Sequence, residues 1–97
     1  MGAEIEWHGD AKRAGTIRFG PEFRGKAHRD PWLGVMSIKD HGDWCDLFAV
    51  AGKISRKDVE DVLEACAAAG FAEAYEERNG KRWAYDLTEK PYKRRRA

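Results

Sequence analysis

Histidine, cysteine and carboxylate side chains carry most acid–base, nucleophilic and metal chemistry, and in this sequence they are scattered. His8, His28 and His41 fall in a strand end, a loop and a turn, and none has a Ser, Cys or Asp beside it in a setting that activates a nucleophile. The nearest approach to a metal site is His41-Gly42-Asp43-Trp44-Cys45, with Asp40 and Asp46 close by. A transition-metal site needs three or four convergent ligands. The simpler reading makes Asp43 a helix cap, packs Cys45 and leaves Asp46 in water. Ten glycines include neither G-x-G-x-x-G nor G-x4-G-K-[ST], so no phosphate-cradling loop is implied. The residues therefore point to no catalysis, no metal and no cofactor, and function is expected to reside in a binding surface.

Charge is where the sequence is uneven. Residues 1–39 carry a net +2, residues 40–77 a net −7 and residues 78–97 a net +6, within an overall +1. An acidic middle thus lies between two basic segments. Ninety-seven residues suffice for one small core and not for two. An apolar content of 42% supplies that core, and a charged content of 36% exceeds the globular average. Cys45 and Cys66 fall on apolar sides of expected helices, which suggests buried reduced thiols in a cytoplasmic protein. No stretch approaches the apolar length of a membrane span, no secretory signal is recognisable, and nothing repeats internally.

The elements that would position a surface are clearest in the second half. Val59, Val62, Leu63 and Cys66 follow the i, i+3, i+4, i+7 spacing of one helix face. Ser55 with Asp58 forms a capping-box pattern, and Gly70 followed by Phe71 forms a stop, so a helix is expected over 55–69. Trp44, Leu47, Phe48 and Ala51 show the same spacing, with Asp40 or Asp43 as N-cap and Gly52 as stop. That predicts a second helix over 43–51, joined to the first by a short turn of the helix-turn-helix kind. Arg78-Asn79-Gly80 separates two strand-like runs, 71–77 and 81–87. Asn-Gly tolerates positive φ at both central positions, so a hairpin is expected, with Glu77 opposite Arg82, Tyr75 opposite Ala84, and Trp83, Tyr85 and Leu87 on one face.

Helix, turn, helix and hairpin in that order resemble a winged helix-turn-helix domain. The resemblance rests on pattern over residues 43–90, with Ala67 to Lys90 similar to the end of a recognition helix and its wing. It implies a small winged-helix-like α+β domain over residues 1–89, with residues 90–97 as a basic tail in which Pro91 discourages further pairing. Ahead of it, residues 4–8 and 16–19 alternate in phase and suggest an N-terminal hairpin. Residues 20–31 read as a mobile basic loop. Residues 30–38 are open between a helix starting at Asp30-Pro31 and a third strand over 33–38, with the strand preferred.

The resemblance implies nucleic-acid binding, with the second helix in the major groove and the wing on the backbone. The positions matching those roles are Lys53, Ser55, Arg56 and Lys57, then Arg78, Lys81 and Arg82. Arg18, Arg24, Lys26, Arg29, Lys90, Lys93, Arg94, Arg95 and Arg96 could add salt-sensitive phosphate contacts. Against base reading, Asp58, Glu60, Asp61 and Glu64 are expected on the outward face of that helix, where phosphates repel carboxylates. An alternative is a protein-binding regulator or inhibitor, of the kind phages encode against host machinery. It would use Asp46, Glu60, Asp61, Glu64, Glu73, Glu76 and Glu77 as an acidic docking face. A homodimer is compatible with either reading, and Trp7 and Trp32 are expected to pack in the core before serving an interface.

Overall fold

Alternation of apolar and polar residues governs most of this chain. The computed structural model describes residues 2–9, 14–20, 34–52 and 54–97. Ala3–His8 (β1) and Ala14–Phe19 (β2) pair antiparallel with Ile5 opposite Ile17, as the alternating runs imply. Gly34–Asp40 (β3) follows antiparallel, placing Met36 beside Ile17, so the preferred strand reading of this segment holds. A turn through Gly42, at φ +96°, leads into Trp44–Gly52 (β4), and the Asp40 carboxylate accepts the Gly42 amide at 2.7 Å. Arg56–Ala68 (α1) then crosses to Glu73–Arg78 (β5), which runs parallel to β4. Parallel neighbours require such a crossover, so β4, α1 and β5 form a βαβ unit. Lys81–Asp86 (β6) and Arg94–Arg96 (β7) complete a seven-stranded sheet whose spatial order is the chain order.

The helix is built as its caps dictate. Ser55 Oγ accepts the Asp58 amide at 3.1 Å, and Asp58 Oδ2 accepts the Ser55 amide at 2.9 Å. At the other end Phe71 N–H donates to Cys66 and Gly70 N–H to Ala67, with Gly70 at φ +102°, a Schellman stop. Val62, Leu63, Ala65 and Cys66 are buried against the sheet, where Phe19, Ile17, Met36, Ile38 and Cys45 are also fully inside. Burying each large aliphatic or aromatic side chain of this core contributes roughly 1.5–3 kcal/mol. Trp7 packs against that core and meets the Phe71 ring at 6.1 Å. Among the described residues, no helix is long and apolar enough to cross a membrane.

The expected winged-helix fold with two central helices is overturned. Residues 43–51 form a central strand, and Gly52 ends a strand where a helix-turn-helix turn was expected. The stretch carries two patterns at once. A helix would bury Trp44, Leu47, Phe48 and Ala51 together, whereas the strand buries Cys45 and Leu47 and leaves Phe48 and Ala51 exposed. Short apolar runs do not settle between these periods alone, and strands on both sides supply the ladder partners that decide it. Asp40 and Asp43 cap no helix: Asp40 closes β3, and the Asp43 carbonyl accepts the Ala72 amide at 2.7 Å. β4 also bulges. Ser37 opposes Phe48 while Val35 opposes Ala51, so one extra residue is accommodated there, and Ala49 sits at φ +53°.

The C-terminal hairpin has the expected register, Glu77 opposite Arg82 and Tyr75 opposite Ala84, around Asn79 and Gly80 at positive φ. Beyond it the chain passes through a cis Lys90–Pro91 bond and returns as β7, pairing Arg94 with Tyr85 and Arg96 with Trp83. Pairing thus continues past Pro91, and the basic run is a strand of the sheet.

Candidate nucleic-acid interface

Strand register decides which charges meet. Residues paired across antiparallel strands share a face, so Ala74, Glu76, Arg78, Lys81, Trp83, Tyr85, Arg94 and Arg96 lie on the face that carries α1. Glu73, Tyr75, Glu77, Arg82 and Arg95 lie on the other. The hairpin cations expected to act together, Arg78 and Arg82, therefore point to opposite sides of the sheet.

On the helix side, α1 and the Lys90–Tyr92 segment wall a cleft of about 870 Å³ whose floor includes Arg78, Tyr85 and Arg94. Beneath it Glu76 is 2% exposed and held by two partners: Tyr85 OH donates to its Oε1 at 3.1 Å, and Arg78 Nε lies 3.2 Å from the same oxygen. Burial raises the Tyr85 hydroxyl above its ordinary pKa, and the Glu76 carboxylate adds to this, so the phenol stays protonated as a donor. Arg78 Nη2 is buried and has no hydrogen-bond partner. Arg94 and Arg96 lie over the Trp83 ring at 4.3 and 5.7 Å, which orients both guanidiniums by cation–π contact.

The acidic residues are distributed and mostly occupied. Lys57 Nζ reaches Asp61 at 2.9 Å, and Lys90 Nζ reaches Glu64 at 2.6 Å, where Tyr92 OH also donates. These contacts hold Glu64 below the usual carboxylate range and push Lys57 and Lys90 above the usual lysine range. On the far face Asp46 pairs with Arg82 and Glu73 with Arg95. Two of the helix carboxylates expected to face outward, Asp58 and Asp61, are buried at 3% and 8% exposure. The seven acidic candidates consequently form no common surface: Glu60, Asp61 and Glu64 lie on the helix, Asp46, Glu73 and Glu77 on the far face, and Glu76 inside.

The basic candidates regroup. Ser55, Arg56 and Lys57 are exposed at the start of α1, whose inner face packs on the sheet. Arg56 lines the cleft opposite Arg78 and Arg94. Among the described residues no carboxylate pairs with Arg56, Lys81, Arg94 or Arg96, whereas Arg18 sits 3.6 Å from Glu6. Lys53, Arg24, Lys26, Arg29, His28 and Trp32 lie outside the described residues, as does the Asp30-Pro31 helix start. Trp83, Tyr85 and Tyr92 were not expected as site residues. Their signal was the Trp83/Tyr85 alternation beside the Arg94/Arg96 alternation, legible only once β7 is known to pair with β6. His41 stacks on Trp44 at 4.0 Å, the Cys45 thiol is raised by its Cys66 neighbour and by burial, and no metal-ligand cluster forms among the described residues. No family model, curated protein or solved structure matches the chain.

Proposed function

We propose that the protein is a non-enzymatic, cytoplasmic nucleic-acid-binding protein that grips a phosphate backbone with the helix-side face of β5–β7. One observation carries this reading: Lys81, Arg94 and Arg96 share a face, with Arg56 across the cleft, and no carboxylate among the described residues neutralises any of them. Trp83 fixes two of these arginines in place, which lowers the entropy lost when they meet a phosphate. Arg94 and Arg96, two residues apart on one strand, sit about 6.7 Å apart and make a linear comb of charge. Two buried free thiols suit a reducing compartment. The acidic-face alternative draws less support, because most of those carboxylates already hold a lysine or arginine.

The test is fluorescence anisotropy with random duplex and single-stranded DNA across a salt series. Each duplex phosphate contact should contribute about −0.9 to the slope of log affinity against log salt. Arg94→Glu with Arg96→Glu is expected to abolish binding and flatten that slope, while Arg82→Glu on the far face leaves it nearly unchanged. Equal losses from the two changes, or no binding at low salt, would overturn the proposal.

A further inference from the structure

We propose that the cleft between α1 and the Lys90–Tyr92 segment binds a phosphomonoester, with Arg78 and Arg94 holding the phosphate. The proposal draws on the nucleic-acid reading only for one possible source of that group, the phosphorylated end of a strand. Its anchor is Arg78. The Nε of this side chain is spent on buried Glu76, while Nη2 is buried with no acceptor. A guanidinium is a rigid fork of donors, and Arg78 lines the cleft with its side chain 35% exposed, so donors beyond the Nε held by Glu76 are available to an incoming oxyanion. Arg94 lines the same floor, lies over Trp83 and has no carboxylate partner among the described residues.

The walls favour an anion as well. Asp61 and Glu64 of the helix wall are occupied by Lys57, Lys90 and Tyr92. Five cations and three carboxylates line the cleft, and Glu76 below adds a fourth carboxylate, leaving one positive charge uncompensated. Two arginines can each direct a fork at one phosphate, which offers more acceptor oxygens than a carboxylate does. Ile54, Val59, Leu63 and Pro91 supply apolar wall for the rest of the molecule. The volume, about 870 Å³, falls within the range of small-ligand sites.

The test titrates the full chain with inorganic phosphate and with adenosine monophosphate, following the Arg78 Nε–H resonance by NMR and affinity by calorimetry. Both probes are expected to shift that resonance. Arg78→Lys and Arg94→Ala should each weaken adenosine monophosphate binding by roughly tenfold to a hundredfold, the effect of losing charge-assisted hydrogen bonds. Because Arg78→Lys disturbs the partner of a buried carboxylate, circular dichroism checks its fold, and Arg94→Ala carries the test if that variant unfolds. Matched strands ending in a 5′-phosphate or a 5′-hydroxyl then separate the sources. Tighter binding of the phosphorylated strand assigns a strand end, and equal binding of both strands with adenosine monophosphate still bound assigns a free nucleotide. If neither probe moves Arg78 in the folded wild-type protein, the site is overturned, even where hydroxyl-ended DNA still binds in the salt series.

Discussion

β4 and α1 are joined by only a few residues, and each carries apolar side chains at three- and four-residue spacing. What separates them is their ends. α1 has a complete capping box at Ser55 and a Schellman stop at Gly70, so both ends satisfy orphan backbone groups with local partners. β4 has no such box and instead finds ladder partners on both sides, β3 and β5. Apolar spacing is thus shared by the two periods, while terminal hydrogen bonding discriminates between them. Where caps are missing, neighbouring strands take the segment.

The largest effect that could break this comparison is expected in the core. Leu47 and Leu63 are 3% and 2% exposed, so Leu47→Ala and Leu63→Ala should each cost about 2–5 kcal/mol in chemical denaturation. Phe48 is 46% exposed, and Phe48→Ala should cost less than about 1 kcal/mol. Equal costs at positions 47 and 48 would restore a helix over 43–51. Smaller is the cap: Ser55→Ala should remove about 1 kcal/mol, read as a lower denaturation midpoint with unchanged slope. Smallest is Ala49→Gly. At φ +53° an alanine bears left-handed strain that glycine relieves, so the change is expected to be neutral or to stabilise by up to about 1 kcal/mol. In a helix the same substitution would destabilise by about 1 kcal/mol.

Legibility followed the range of the interactions. The helix over 55–69, both hairpins and the preference for a strand at 33–38 rested on caps, turns and alternation within a few residues, and all are found. The β3–β4 turn is built on Asp40 and Gly42, but Asp40 ahead of the helical spacing of Trp44, Leu47 and Phe48 equally fits a helix N-cap, which is the reading the local pattern favours. The parallel β4–β5 pairing and the β6–β7 pairing depend on partners that no local pattern specifies. For the same reason Arg56, Arg78 and Arg94 were identifiable as cations, yet their gathering around one cleft was not. Arg78 and Arg82 show the converse. The expected hairpin register, which the structure has, itself sends them to opposite faces, so the hairpin charges do not form one set.

β7 is an edge strand of three consecutive arginines, with its outer ladder groups facing no neighbour among the described residues. Bare sheet edges invite strand addition by another copy, and concentrated like charge resists it. Pairing two such edges would bring six guanidiniums together. Variants made to probe binding therefore also weaken a guard against aggregation: Arg94→Glu with Arg96→Glu takes the edge from three like charges to a mixed stretch of net −1.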